Sequence, residues 1–109
     1  MIKFPDIDVP NDKLIILLID RYAASAGENF TDQILSLENT LVIGQNTAGV
    51  LLTGGMDQFF LPNSDIQIDM GIIYNIWDEA HFKEGAGIST DVWVIGDALQ
   101  AALAMLRKR

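Results

Sequence analysis

Lys13-Leu-Ile-Ile-Leu-Leu-Ile-Asp20 restricts the fold more than any other segment of this chain. Six aliphatic residues in a row, closed at both ends by a charge, leave no polar face for water. A bilayer span takes about 20 apolar residues, so the run is too short for one. It suits a strand covered on both faces, as in a parallel sheet. Parallel strands need a crossover, and the next segment supplies it. Ala24 to Leu37 places Ala26, Phe30, Ile34 and Leu37 on one stripe at helical spacing. Leu41 to Gly44 follows as a second short buried strand. Strand, helix and strand in this order make a βαβ unit.

Residues 1 to 12 contain Pro5, Pro10 and three aspartates and read as an extended lead-in. Gln45 to Gly55 reads as a loop, with Gly49, Gly54 and Gly55. From Met56 the chain alternates. Asp65-Ile-Gln-Ile-Asp-Met70 puts Ile66, Ile68 and Met70 on one face and acids on the other. Leu61-Pro-Asn-Ser64 is the turn between two such strands, and Gly71 to Trp77 continues the second. Asp78 to Gly87 is polar and reads as a loop; Asp91 to Ile95 is a last short strand. Asp97 to Arg109 predicts a helix with Ala98, Leu99, Ala102, Leu103 and Leu106 inward. Asp97 is its N-cap, with Gln100 closing a capping box. Arg107, Lys108 and Arg109 favour its negative end. The expected class is α/β, in one domain spanning residues 1–109 without repeat or linker.

Composition excludes several functions. The chain is 50% hydrophobic with mean hydropathy +0.24, too apolar to be disordered. Seven basic against fifteen acidic residues give a net charge of -8, which repels phosphate backbones and argues against nucleic acid as a partner. The absence of cysteine excludes disulfides, thiol nucleophiles and thiolate zinc sites. Met1-Ile-Lys-Phe-Pro-Asp6 has no apolar h-region, so no signal peptide is expected there. The apolar fraction is high for a free-standing acidic domain, a sign that a partner surface belongs against it.

Three segments carry groups capable of chemistry. In Arg21-Tyr-Ala-Ala-Ser-Ala-Gly-Glu28, Ser25 falls where strand turns into helix. Helix-start N–H groups there, including that of Ala26, are unpaired and suited to an oxyanion. Ser25-Ala-Gly-Glu28 is equally a capping box, in which the same hydroxyl serves the helix instead. The glycine loop Gly44-Gln-Asn-Thr-Ala-Gly-Val50 could line a cleft near Ser25 through Gly49, or be an ordinary turn. It lacks the Lys-Ser/Thr ending of a phosphate loop. In Lys83-Glu-Gly-Ala-Gly-Ile-Ser-Thr-Asp91, Glu84 could orient a serine or histidine, or be a solvated loop charge. His81 is the one histidine and a weak candidate partner for Ser25. No cluster reads as a metal site, and no pattern asks for a cofactor.

Together these segments resemble the C-terminal half of the catalytic domain of S41 serine peptidases, the carboxyl-terminal processing, tail-specific and tricorn-like proteases. The resemblance runs from Lys13 to Lys108. It rests on the apolar strand, Ser25-Ala-Gly-Glu28, Leu41-Val-Ile-Gly-Gln-Asn-Thr-Ala-Gly49, Leu61-Pro-Asn-Ser64, Glu84-Gly-Ala-Gly-Ile-Ser-Thr-Asp91 and the helix opening Asp97-Ala-Leu. It implies a ClpP/crotonase-type fold of stacked βα units with a mixed sheet and a C-terminal helix. It implies peptide-bond hydrolysis through an acyl-enzyme on Ser25, with Glu84 in the supporting tetrad. Two departures stand out. Ser-Lys members carry a lysine where this chain has Val50, so the chain is closer to the branch with a histidine base. That histidine and a further serine lie upstream of the nucleophile in the family, and nothing here matches them. Thr90-Asp91 stands where the family usually has Pro-Asp. The expectation is therefore a catalytic-domain fragment, nearly inert alone because a general base contributes about 10²–10⁴ in rate. Its expected partners are a peptide or protein substrate, the missing N-terminal half and further copies of itself. The alternatives are a non-catalytic binding or scaffold member of the same fold and a crotonase-like acyl-CoA enzyme. Proteins of this family are often secreted or periplasmic, but nothing in the chain fixes a compartment.

Overall fold

The computed structural model describes residues 9–75 and 82–108. The elements run β1 (Ile15–Ile19), α1 (Ala26–Leu35), β2 (Thr40–Gly44), β3 (Thr53–Phe60), β4 (Gln67–Tyr74), β5 (Phe82–Lys83), β6 (Gly87–Ile88), β7 (Val92–Trp93) and α2 (Ala98–Arg107). Among the described residues they form a mixed α/β structure of two helices and three small sheets.

The βαβ unit is present. β1, β2 and β7 form a parallel sheet in the order β1-β2-β7, with Ile15 opposite Thr40 and Ile19 opposite Gly44. The strands meet most closely at Gly44. A Cβ there would lie 1.9 Å from the Ile19 carbonyl oxygen, and φ is +135°. Only glycine therefore fits where Gln45 N–H reaches the same carbonyl at 3.0 Å. β7 is zipped on through Asp91, whose carboxylate accepts from Val42 N–H at 2.8 Å while its own N–H donates to Val42 O at 2.9 Å.

The sheet is covered less than its sequence suggests. α2 packs on β1 and β2 with Ala102 buried, whereas α1 packs on β6. Of β1 only Ile19 is buried, and Leu18 remains exposed. The expectation of a strand covered on both faces is thus corrected. α2 begins at its expected cap: the Asp97 side chain accepts from Gln100 N–H at 3.0 Å. Its inner face is narrower than expected, since Leu99 and Leu106 are exposed.

The face of α1 is also corrected. The apolar stripe through Phe30 does not point inward; Phe30 is 57% exposed, and the buried residues are Glu28 and Thr31. Glu28 is turned in because the loop after β2 offers its carboxylate hydrogen-bond donors, a tertiary demand that outweighs the apolar period; Thr31 beside it is satisfied within the helix, its hydroxyl donating to Gly27 O at 2.8 Å.

β3 and β4 form an antiparallel hairpin of two eight-residue strands, turned through Leu61–Ile66 with Leu61 N–H on Ile66 O at 3.0 Å. Thr53 to Gly55, expected as loop, are its first residues. Asn75 anchors its base: N–H and side-chain amide reach Leu52 O and Leu51 O, each at 2.7 Å. A second, two-residue hairpin, β5–β6, lies within a stretch expected to be loop. It sits over a small core of Leu51, Phe82 and Ile88, with Leu35 and Leu52 against it. His81 and residues 76 to 80 lie outside the described residues, and so does the proposed strand end at Trp77.

Candidate functional site

Three segments converge at the start of α1. The chain leaves β1 through an Asx turn. Asp20 Oδ1 accepts from Tyr22 N–H at 2.8 Å and Ala23 N–H at 3.2 Å. It then bends sharply into the helix at Ser25, whose φ of 49° and ψ of -106° are rare for a residue with a Cβ. Such a conformation costs on the order of 1–3 kcal/mol and persists only where its surroundings impose it. Ala23 and Gly27 face each other across the bend, and a Cβ on Gly27 would stand 3.7 Å from that of Ala23.

Glu28 imposes the bend. Its carboxylate is fully buried, 0% exposed, and accepts four hydrogen bonds. Oε1 takes the Thr47 hydroxyl at 2.6 Å and Gly49 N–H at 2.7 Å. Oε2 takes Ser25 N–H at 3.0 Å and Val50 N–H at 3.0 Å. A buried carboxylate is costly unless its lone pairs are met, and here three donors from the loop after β2 and the N–H of the N-cap residue meet them. One oxygen thus ties Ser25 to the glycine loop. Thr47 extends the network, since its hydroxyl also accepts from Ile88 N–H at 2.7 Å. Ala48 N–H, at 2.8 Å from Ala23 O, closes the loop onto the bend.

Ser25 itself is exposed. It stands as the N-cap of α1 in a capping box: its side chain faces the Glu28 N–H, and the Glu28 carboxylate takes Ser25 N–H at 3.0 Å. The hydroxyl's own approach to the helix is the looser of the two arms, short of full hydrogen-bond geometry. Ala26 follows as the first helical residue, exposed, with its N–H among the donors a helix start leaves unpaired.

Glu84 is exposed and does not touch Ser25. Its Oε2 accepts from Leu51 N–H at 3.3 Å and Leu52 N–H at 3.2 Å. The four successive amides of Gly49, Val50, Leu51 and Leu52 are therefore held by two glutamates. Gly49, considered as a residue lining a cleft near Ser25, is buried and gives its N–H to Glu28. What Gly49 contributes is room: φ is +78°, and a Cβ would meet the amides of Gly85, Ala86 and Gly87 within 2.8 Å. Gly85 N–H in turn donates to Gly49 O at 2.9 Å. The Glu84 turn and the Ser25 bend are thus brought to opposite sides of one loop.

A cleft opens beside this bend, at the C-terminal ends of β1, β2 and β7, where open α/β sheets take ligands. It measures about 830 Å³, and its walls include Tyr22, Ala23, Gly44, Val94 and Gly96. Ser25 lies two residues past Ala23 and does not itself line it. On its rim the Arg21 guanidinium stacks over Tyr22, 4.9 Å from the ring centroid, and donates to the Tyr22 hydroxyl at 2.7 Å.

Sequence reasoning treated Glu28 as a cap and did not single out Thr47. A glutamate three residues after the cap residue is the only local mark of Glu28. The donors that bury it lie 19 to 22 residues away, beyond any local pattern. The sequence matches no protein-family model and no curated protein.

Proposed function

We propose that this chain is the nucleophile-bearing part of a serine peptidase of the S41 type, in a ClpP/crotonase-like domain, with Ser25 as the residue acylated by substrate. One observation carries the reading. An exposed serine is held at a strained, positive φ between a parallel strand and a helix start. Strained strand-to-helix turns of this kind present nucleophilic serines in hydrolases. The resemblance set out above points to the same residue.

In the proposed reaction Ser25 Oγ attacks the substrate carbonyl, and the Ala26 N–H is the nearest helix-start donor for the oxyanion. One such donor contributes about 3–4 kcal/mol. The histidine that takes the serine proton has no match upstream of Ser25 in these residues and must come from outside them. The tetrahedral adduct then collapses with cleavage of its C–N bond, the amine leaving with the proton that the histidine took, and water hydrolyses the acyl-serine ester to release the acid and restore Ser25. Glu84 acts on the loop rather than on the serine, holding Leu51 and Leu52 in place.

A second reading, a non-catalytic binding domain of the same fold, draws on the occupied amides of residues 49 to 52. Both readings are tested by labelling the native protein that contains this chain with a fluorophosphonate, beside its Ser25→Ala variant. The peptidase reading expects labelling that Ser25→Ala abolishes. Equal labelling of the two proteins would remove Ser25 as nucleophile, and no labelling of either favours the binding domain.

A further inference from the structure

No step of the proposed reaction uses the buried hydroxyl of Thr47, in the middle of the glycine loop. Thr47 is 4% exposed and joins two partners that are buried as well, Glu28 and Ile88. Its hydroxyl has one arrangement open to it. A carboxylate only accepts, so Thr47 O–H donates to Glu28 Oε1 at 2.6 Å, and its oxygen accepts from Ile88 N–H at 2.7 Å. The backbone fixes the same pairing. Thr47 N–H donates to Ile88 O at 3.2 Å, and a Cβ on Gly87 would run into the Thr47 carbonyl. Thr47 is therefore anchored on β6, in the hairpin whose turn carries Glu84.

That anchor reaches Ser25 through Glu28. The two oxygens of a carboxylate move together as one planar group. Oε1 is held by Thr47 and Gly49, and Oε2 by Val50 and the Ser25 N–H. Releasing Oε1 from Thr47 lets the group turn about its last side-chain bond and draws Oε2 off the Ser25 N–H. The bend at Ser25, with φ at 49°, then loses the contact that holds it. A reacting group displaced by about 1 Å can lose about 10²-fold in rate. The hairpin thus acts on Ser25 by way of Ile88, Thr47 and Glu28. The Glu84 carboxylate lies on a separate branch, which ends on Leu51 and Leu52.

We propose that Thr47 is a positioning residue for Ser25: its buried hydroxyl sets the angle of the Glu28 carboxylate, and the carboxylate sets the Ser25 backbone. This role rests on the reading of Ser25 as nucleophile; the link from Thr47 to Ser25 does not. Both are measured on the native protein that contains this chain. Thr47→Val keeps the shape and removes the hydroxyl, whereas Thr47→Ser keeps the hydroxyl and loses a methyl. Residue-resolved amide hydrogen exchange reads the link. Thr47→Val is expected to speed exchange of the Ser25 N–H at least about tenfold, the scale of one hydrogen bond to a charged group. The Asp91 N–H, bound to Val42 O in the parallel sheet, is the control and is expected to hold its rate. Fluorophosphonate labelling over a range of probe concentrations then separates maximal rate from half-saturation. Thr47→Val is expected to lower the maximal rate at least about tenfold with half-saturation unchanged, and Thr47→Ser to keep the rate. Were Thr47 there only to pack, the order of the two variants would reverse. Circular dichroism checks the fold, and Thr47→Cys, whose thiol is a weak donor, gives a milder variant with an intermediate rate. Unchanged exchange at Ser25 would overturn the link. Faster exchange with an unchanged labelling rate would overturn the positioning role. Absence of labelling in the unaltered protein would remove the peptidase reading and the positioning role together, while the exchange result still decides the link.

Discussion

Ser25 and Glu28 show how one residue's strain is held by another's burial. The positive φ at Ser25 is a cost, and the four donors gathered on Glu28 are what maintain it. Replacing Glu28 by alanine leaves those donors without an acceptor, and unsatisfied buried groups cost about 1–3 kcal/mol each. Glu28→Ala is therefore expected to lose at least about 3 kcal/mol in urea unfolding; an unchanged midpoint would contradict the network. Ser25→Gly separates strain from capping by sign. An ordinary N-cap loses a few tenths of a kcal/mol on going to glycine. A residue strained at positive φ gains, and here a stabilisation of about 1 kcal/mol is expected. The same substitution is expected to abolish fluorophosphonate labelling of the native protein, since it removes Oγ.

Among the elements, the parallel sheet depends on close approach at one glycine and on one aspartate cap. Gly44→Ala forces a Cβ into the Ile19 carbonyl at a φ that L-residues avoid. It is expected to cost more than about 3 kcal/mol, the scale of the most damaging single substitutions, read by thermal melting. Asp97→Ala removes the acceptor for Gln100 N–H and should cost about 1 kcal/mol, the usual worth of a cap. The two helices differ in how readily they were read. Asp97 is a local signal, and the cap formed as expected. The inner face of α1 is not local. Its apolar period pointed to Phe30, but Glu28 turned inward, with Thr31 beside it, because the 47–50 loop supplies donors to the Glu28 carboxylate.

The molecule as a whole is extended. Its radius of gyration is 17.5 Å, against about 13 Å for a compact domain of this length. Its buried apolar residues are few, and its exposed large apolar residues concentrate on the hairpin.

Local pattern alone determined the elements of the βαβ unit, the hairpin turn at Leu61 to Ser64 and the Asp97 cap, because each depends on neighbours within a few residues. It also marked Ser25 as the residue at the strand-to-helix junction. Tertiary structure decided the rest. Which side of α1 is buried, why Ser25 adopts a positive φ and where the amides of residues 49 to 52 are spent all depend on groups about twenty or more residues apart. The physical reason is that a buried carboxylate must collect its donors from wherever the folded chain brings them. That requirement is invisible until the loop after β2 has closed against the start of the helix.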